Sequence, residues 1–177
     1  MSTKQFLFSG FGGQGILFAG KFIAYKGLID EKQVSWLPSY GPEMRGGTAS
    51  CSVIISDEPV GSPIVSKPDI LIAMNLPSLD KYEDAVAEGG MIFMDSSLIE
   101  RKVNRTDVKV FAVPATQMAS DNGMPTLANM ILVGKLLHEL NDFGEESLTA
   151  ALKKVISAKH ADMMDINRKA IQLGADY

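Results

Sequence analysis

Residues 5–15 read Gln5-Phe6-Leu7-Phe8-Ser9-Gly10-Phe11-Gly12-Gly13-Gln14-Gly15. The first part is a short apolar run that ends in glycine, which predicts a buried strand over residues 5–9. Glycines at positions 10, 12 and 15 match the G-x-G-x-x-G pattern, and the apolar spacing of residues 14–28 predicts a helix directly after it. A strand, a glycine-rich turn and a helix in this order are typical of an open α/β sheet that binds a ligand at the turn.

Strands and helices are predicted to alternate along the rest of the chain. Apolar runs predict strands at 33–36, 48–55, 69–74, 91–94 and 109–113, and helical spacing predicts helices at 79–87, 116–119, 127–140, 145–156 and 161–173. Ser78 is the expected N-cap of the helix at 79–87. The order predicts one α/β domain over residues 1–177, with three layers and a mostly parallel sheet flanked by helices. Its core is expected at about 5–140, with peripheral C-terminal helices at about 145–177.

Composition excludes several classes of protein. The net charge of −4 is spread without a basic cluster, which argues against a nucleic-acid partner. No apolar run reaches the roughly 18 residues of a membrane-spanning helix, and the first residues lack a signal-peptide pattern, so a cytoplasmic location is expected. The one cysteine, Cys51, excludes an internal disulfide and an iron–sulfur cluster, which normally takes four thiolates. It is expected to be a small buried apolar residue.

The glycine-rich turn (residues 10–15) has three interpretations. Such a turn lets the backbone approach a phosphate group, and the following helix offers free N–H groups to it. The same turn also allows a helix and a strand to pack closely without any ligand. Binding of NAD or FAD is the third interpretation, but it requires an acidic residue at the end of the second strand. Asp30 and Glu31 precede that strand instead.

A second small-residue segment, Pro38-Ser39-Tyr40-Gly41-Pro42-Glu43-Met44-Arg45-Gly46-Gly47, follows the second predicted strand. Both segments are expected at the same edge of the sheet. Arg45 is suited to bidentate capture of a carboxylate or phosphate from substrate or partner, whereas the alternative is a surface Glu43–Arg45 pair worth less than ~1 kcal/mol. The two glycines after Arg45 suit close approach of another chain or ligand. The candidate residues for a substrate or subunit-interface loop are Ser39, Tyr40, Gly41, Pro42, Glu43, Arg45, Gly46 and Gly47.

No side chain stands out as catalytic, and no metal-ligand pattern appears. His138 falls on a long apolar helix and His160 lies between the two last helices, where structural or solvated histidines are common. Neither a Ser–His–Asp arrangement nor a phosphate-binding P-loop is present. Residues 95–97 and Asn75 lie at strand ends on the ligand edge, where turn formation is the expected role and binding of polar groups is the alternative. Asn129 lies within an apolar helix and needs a partner, either backbone across the core or a subunit surface.

Five segments resemble the gamma subunit, or gamma domain, of 2-oxoacid:ferredoxin oxidoreductases. They are residues 10–16, 39–49, 52–56, 68–75 and 125–130. The segment at 40–47 is more distinctive than the glycine-rich turn, and in this form it is most similar to the branches that act on 2-oxoglutarate or branched-chain 2-oxoacids. The resemblance covers residues 6–137 in the family's order.

The resemblance implies a subunit of an enzyme that converts a 2-oxoacid and coenzyme A to acyl-CoA and carbon dioxide, with reduction of ferredoxin. It implies alpha and beta subunits as partners, a ferredoxin-like delta subunit as a further candidate, and thiamine diphosphate, Mg and 4Fe-4S clusters held by those partners. The resemblance then implies that this chain is a non-catalytic or site-completing subunit of that oxidoreductase. Coenzyme A carries a pyrophosphate, so its expected position is at Gly10, Gly12, Gly13, Gln14 and Gly15. The alternatives are a free-standing NAD-linked reductase and a scaffold subunit without a ligand.

Overall fold

The computed structural model describes residues 2–39 and 48–177. Within these residues no helix is long and apolar enough to cross a membrane. Strands and helices follow one another in the predicted order, although β2, β3 and β4 are consecutive, and short 3-10 turns lie at Glu83–Ala85 and Ala158–His160. The elements are β1 (Thr3–Phe11), α1 (Ile16–Ile29), β2 (Gln33–Ser39), β3 (Thr48–Ser56), β4 (Ile70–Ala73), α2 (Leu76–Tyr82), β5 (Met91–Asp95), β6 (Lys109–Val113), α3 (Ala115–Asp121), α4 (Ala128–Glu139), α5 (Glu145–Val155) and α6 (Met163–Asp176).

The strands form one six-stranded sheet in the order β2-β3-β1-β4-β5-β6. The pairs β1–β4, β4–β5 and β5–β6 are parallel, whereas β3 runs antiparallel to both of its neighbours, β2 and β1. The prediction of a mostly parallel sheet is therefore confirmed. One edge of the sheet carries the C-terminal ends of β1, β2, β4, β5 and β6 together with the first residue of β3. We call this edge the carboxyl edge.

Alternating side chains of the strands fill two separate cores. Phe8 and Ile72 belong to the larger core, which lies on the face covered by α1, α3, α4, α5 and α6. Leu7 and Leu71 point to the opposite face and pack with Leu79 of α2. All of these side chains are at most 5% exposed, and full burial of such a side chain stabilises the fold by roughly 2 kcal/mol. The predicted arrangement of helices on both faces is confirmed.

The connections of the chain diverge between β1 and β4. These two strands are neighbours in the sheet, yet α1 covers one face and α2 covers the other. The loops that follow β1 and β4 therefore lead away in opposite directions, and we call the position between them at the carboxyl edge the crevice. In open α/β sheets such a switch point is where ligands bind.

The two C-terminal helices are an integral part of the larger core. Leu148 of α5 and Ile171 of α6 are almost fully buried in it. Helix α6 crosses α4 so closely that the Cα of Gly134 faces the carbonyl of Ile171, and Gly174 faces the carbonyl of Ile131 in the same way. The polar outer surface of this segment predicts a peripheral extension, but its inner surface completes the helical layer.

Helix α2 begins earlier than the sequence pattern predicts. Its N-cap is Asn75, whose side-chain Oδ1 accepts a hydrogen bond of 2.8 Å from the backbone N–H of Ser78. The prediction of Ser78 as the N-cap is therefore wrong. Pro77 lies in the first turn of the helix, where its missing N–H costs nothing. The Ser78 hydroxyl is instead hydrogen-bonded to Ser9 of β1, on the face of the sheet that α2 covers.

A buried ammonium group joins α1 to the segment between α4 and α5. Lys26 is 2% exposed. Its Nζ donates to Asp142 Oδ1 at 2.6 Å and to Asp30 Oδ2 at 2.9 Å. Because an unpaired charge cannot remain buried without a large cost, the two carboxylates are needed to hold Lys26 in this position.

Candidate functional site

The glycine-rich turn lies at the carboxyl edge, directly after β1. Gly12 and Gly13 are exposed, and a Cβ atom at Gly13 would meet no neighbour within 4 Å. Gly13 and Gly15 have φ angles of 90° and 74°, in the left-handed region that favours glycine. The turn therefore presents bare backbone to the crevice between β1 and β4.

Gln14 braces this turn against β4. The backbone N–H of Phe11 donates to Gln14 Oε1 at 2.6 Å, and Gln14 Nε2 donates to the carbonyl oxygen of Met74 at 3.2 Å. A Cβ atom at the buried Gly10 would lie 2.6 Å from Gln14 Oε1, so a glycine is required there for the brace to form. Of the five residues predicted for cofactor binding, Gln14 and Gly10 thus shape the turn, while Gly12 and Gly13 face outward.

Asn129 of α4 fixes the start of α1. Its Nδ2 donates to the carbonyl oxygen of Gly15 at 3.0 Å, which confirms the expected backbone partner across the core. A Cβ atom at Gly15 would collide with the Asn129 amide. No side chain caps the N-terminus of α1, so no side chain occupies the first N–H groups of this 14-residue helix.

A small buried polar cluster lies beneath the turn, at the ends of β1 and β4. The hydroxyl groups of Ser9 and Ser78 are 2.8 Å apart, and Ser9 Oγ also donates to the carbonyl oxygen of Ala49 at 3.3 Å. Asn75 completes the cluster. Its Oδ1 caps α2, but its Nδ2 is buried and has no hydrogen-bond partner within the described chain.

The polar residues after β5 form a turn, as expected. The buried carboxylate of Asp95 accepts hydrogen bonds from the backbone N–H of Ser97 at 3.1 Å and of Thr116 at 3.3 Å. It also accepts one from the hydroxyl of Thr116 at 2.5 Å. These contacts use the carboxylate to join β5 to the start of α3, so Asp95 has a structural role at the carboxyl edge.

Large apolar side chains are exposed along the same edge. Phe11 at the end of β1 is 40% exposed, Leu76 after β4 is 39% exposed and Leu98 after β5 is 43% exposed. We call these three residues the edge patch. Each lies at or just after the end of a neighbouring strand, so all three are at the carboxyl edge. They were not predicted from the sequence, although an apolar residue at or near the end of each strand was the available signal.

The second predicted segment lies mostly outside the described residues. Ser39, its second residue, ends β2 and is exposed. Residues 40–47, which include Tyr40, Gly41, Pro42, Glu43, Arg45, Gly46 and Gly47, are not described. The pairing of Ser39 with Ser50 and of Thr48 with Phe11 places both flanking residues at the carboxyl edge. The expectation that the segment connects strand ends at this edge is therefore confirmed for its two flanks.

Cys51 is not suited to ligation or nucleophilic chemistry. It is 1% exposed, its Sγ lies 3.6 Å from the carbonyl oxygen of Ile16, and burial raises its pKa to about 12. Residues 2–39 and 48–177 contain no group of three or more histidine, cysteine or acidic side chains that could hold a metal ion. His138 and His160 are both exposed, and His160 lines a cleft of about 480 Å³ between α1, α4 and α6.

The sheet topology disfavours the dinucleotide interpretation. In a dinucleotide-binding fold the strand after the first helix lies beside β1, and its terminal acid reaches the ribose. Here β3 separates β2 from β1. The described end of β2 carries Leu37, Pro38 and Ser39 and no acid. Within the described residues, β2 therefore does not lie beside β1 and does not end in an acidic residue.

These features define a class: an α/β domain with a glycine-rich turn at its switch point and exposed apolar residues at the same edge of the sheet. The chain belongs to the pyruvate ferredoxin/flavodoxin oxidoreductase family, whose model matches residues 5–177.

Relatives of the chain are named as oxidoreductase subunits. It is 40% identical to the ketoisovalerate oxidoreductase subunit VorA of Methanothermobacter thermautotrophicus over 96% of its own length, but it spans only 35% of that relative. It is also 40% identical to the 2-oxoglutarate synthase subunit KorC of Methanocaldococcus jannaschii, with 84% of this chain and 81% of that relative covered. Among solved structures, the keto/oxoacid ferredoxin oxidoreductase gamma subunit from Geobacter sulfurreducens superposes with a TM-score of 0.82 at 30% identity, covering 98% of this chain and 96% of the other.

Proposed function

We propose that this chain is the gamma-type subunit of a 2-oxoacid:ferredoxin oxidoreductase working in the cytoplasm. The enzyme cleaves the bond between the carboxyl and carbonyl carbons of the 2-oxoacid and releases carbon dioxide. It joins the remaining acyl group to the sulfur of coenzyme A and passes the electron pair to ferredoxin. Family membership, together with relatives named as subunits of enzymes for 2-oxoglutarate and ketoisovalerate, supports this activity.

The cofactors of this reaction are proposed to reside in partner chains. Thiamine diphosphate with Mg supplies stabilisation of a carbanion, and 4Fe-4S clusters supply electron transfer. This chain does not fit an iron–sulfur cluster, because its one thiol is buried and protonated. The proposed partners are alpha and beta subunits and a ferredoxin-like delta subunit, with ferredoxin as electron acceptor. The exposed edge patch supports a partner contact at the carboxyl edge.

The proposed contribution of this chain is a binding surface for the pyrophosphate of coenzyme A at the glycine-rich turn. The observation that carries this proposal is the position of the turn: its bare backbone opens at the switch point, where the N-terminus of α1 has no side-chain cap. A phosphate there is stabilised by free N–H groups and by the positive end of the helix dipole. Gly12, Gly13 and Gly15 provide the binding surface, and Gln14 with Gly10 holds its shape.

Gly12→Asp tests this proposal in the assembled oxidoreductase. A carboxylate on the exposed backbone of the turn repels a pyrophosphate and occupies its space, so we expect the KM for coenzyme A to rise at least about tenfold, equivalent to ~1.4 kcal/mol. The KM for the 2-oxoacid should change less than twofold. Steady-state kinetics with each substrate varied in turn measures both.

Gly61→Asp is the matched control for this substitution, because Gly61 is exposed and has no neighbour within 4 Å of a Cβ position. It adds the same charge on a distant turn and should leave both constants unchanged. Equal weakening of both substrates by Gly12→Asp contradicts a pyrophosphate site at the turn. An unchanged KM for coenzyme A favours a scaffold role without a ligand.

The segment formed by Ser39 and residues 40–47 is proposed to contact substrate or a partner subunit. Arg45→Ala removes a guanidinium that can bind a carboxylate or phosphate in a bidentate manner. We expect the yield of assembled complex or its turnover to fall at least about fivefold, as loss of one such contact implies. Co-purification yield and kcat are measured on the same preparations. Arg45→Lys is the control variant, because lysine keeps the positive charge but cannot bind in a bidentate manner. Normal yield and turnover for Arg45→Ala exclude a functional role for this side chain.

A further inference from the structure

The cleft between α1, α4 and α6 lies directly against the glycine-rich turn. Its volume is about 480 Å³, and Gly15, the last residue of the turn, forms part of its wall. Phe18 lies one helical turn further along α1 and lines the same cleft. The volume is within the range of roughly 300–1,000 Å³ that is typical of small-molecule pockets. A ligand with its phosphates on the turn therefore has a cavity beside those phosphates.

The wall of the cleft is mainly apolar. Leu127 before α4, Val155 at the end of α5 and Met163 at the start of α6 line it together with Phe18. Phe18, Val155 and Met163 are half-buried, so part of their surface remains accessible. Among the described residues, no lysine, arginine, aspartate or glutamate lines the cleft. Because a flat uncharged ring covers apolar surface and stacks on an aromatic side chain, the cleft suits an aromatic group better than a phosphate.

Exposed polar side chains also line the cleft. They are those of Thr126, Ser157 and His160. Hydroxyl and neutral imidazole groups can both donate and accept hydrogen bonds. Adenine presents both an amino donor and ring-nitrogen acceptors, so these side chains can orient a purine that the apolar wall holds.

The two ends of coenzyme A have different requirements. Its adenine is the one aromatic group, and it lies at the end opposite to the thiol. The thiol must reach an acyl group that the proposed function assigns to thiamine diphosphate in a partner chain. The walls of the cleft are α1, α4, the end of α5 and α6, all of this chain. The adenine is therefore the end that can stay on this chain, while the pantetheine arm extends from the turn towards the partner.

We propose that the cleft between α1, α4 and α6 holds the adenine ring of the coenzyme A whose pyrophosphate lies on the glycine-rich turn. This inference rests on the proposed function of the turn and assigns a place to each end of the ligand. Phe18 provides the stacking surface for the ring. Gly15 connects the two parts of the site, because it ends the turn and also lines the cleft.

Ser157→Trp fills the cleft without removing a helix cap. Ser157 is exposed, and its side chain does not cap the 3-10 turn that follows. An indole ring here occupies the space of the adenine, so the affinity of the assembled oxidoreductase for coenzyme A should fall at least about tenfold, as measured by calorimetry. Ala158→Trp is the matched control, because Ala158 is exposed but is not among the lining residues, and the affinity should stay within about twofold.

Phe18→Leu tests the stacking surface without filling the cleft. Leucine keeps an apolar side chain of similar length but offers no aromatic face. The affinity for coenzyme A should fall about fivefold, as loss of stacking on one base implies. Unchanged affinity for coenzyme A in either Ser157→Trp or Phe18→Leu overturns the inference.

Fragments of coenzyme A identify which end the cleft recognises. Adenosine 3′,5′-bisphosphate should compete with coenzyme A in the unaltered complex and bind at least about tenfold more weakly to Ser157→Trp. Phosphopantetheine, which lacks the adenine, should bind equally to both. A loss confined to phosphopantetheine, or an equal loss for both fragments, overturns the inference. So does a fall in the yield of assembled complex with unchanged affinity for coenzyme A, because a partner chain then fills the cleft.

Gly12→Asp separates this inference from the proposed function of the turn. If Gly12→Asp weakens coenzyme A and Ser157→Trp does not, the inference about the cleft fails and the proposed function stands. If Gly12→Asp leaves the affinity unchanged, the proposed function of the turn fails, whatever the cleft binds. If neither variant weakens coenzyme A, both fail.

Discussion

Gly134→Ala is expected to lower the free energy of unfolding by about 2 kcal/mol or more. The added methyl group would overlap the carbonyl oxygen of Ile171, a backbone atom that cannot rotate away, so α4 and α6 must separate. Overpacking of this kind costs about 3 kcal/mol. The higher helix propensity of alanine relative to glycine offsets only about 1 kcal/mol of this cost. Urea denaturation followed by circular dichroism measures the difference.

Gly27→Ala is the matched control for the α4–α6 contact. Gly27 is also helical and buried, but a methyl group there would meet the side-chain ends of Ile55 and Val34 at 3.0 Å. These can shift by a few tenths of an ångström, so the change in unfolding free energy should stay within about 1 kcal/mol. Equal stability of the Gly134 and Gly27 variants would show that α6 does not pack on α4 at the described distance.

Removal of both carboxylates around Lys26 is expected to destabilise the protein by about 3 kcal/mol. The double variant Asp30→Ala, Asp142→Ala leaves the buried ammonium without an acceptor, and breaking a buried pair in this way costs about 3–5 kcal/mol. The lower figure applies because both carboxylates are partly exposed. The measurement is again the free energy of unfolding in urea.

Adding Lys26→Met to that double variant should restore most of the lost stability. Methionine keeps the unbranched chain of lysine without its charge, and replacing buried ion pairs by apolar side chains is often neutral or better. Lys26→Met alone should stay within about 1 kcal/mol of the parent. A double variant that is as stable as the parent, or one that Lys26→Met fails to rescue, would show that the ammonium is not buried in solution.

The order of elements could be predicted from the sequence because the buried strands are apolar runs bounded by glycine, proline or aspartate. The second strand is predicted over residues 33–36, whereas the observed β2 continues through Pro38 to Ser39. Proline removes a ladder donor and therefore indicates the end of a strand, but β2 lies at the border of the sheet, where proline is tolerated. The start of α2 is missed for a related reason, since Pro77 looks like a helix breaker and is instead part of the first turn.

The close packing of α6 on α4 could not be predicted locally. Gly134 and Gly174 lie 40 positions apart, and each one alone only weakens a helix. Their joint role requires the crossing of two helices, which hydrophobic periodicity does not encode. Lys26 is similar, because Asp142, one of its two partners, is distant in sequence.

The glycine-rich turn and its position at the carboxyl edge could be predicted, because the glycines, the preceding apolar run and the helix pattern are contiguous. The role of Asn75 could not. Its oxygen caps α2, whose start the sequence obscures because Pro77 resembles a helix breaker. The edge patch was missed because three isolated apolar residues form a surface only after the parallel strands align their ends.

Because its one cysteine, Cys51, is inaccessible, this chain is suited to labelling at an introduced cysteine. A thiol that is 1% exposed and titrates near 12 does not react with maleimides at neutral pH. A cysteine introduced at the exposed Ser97, for instance, would then be the sole labelled position on this chain. Spin labels or photocrosslinkers attached in this way can test whether a partner chain approaches the carboxyl edge.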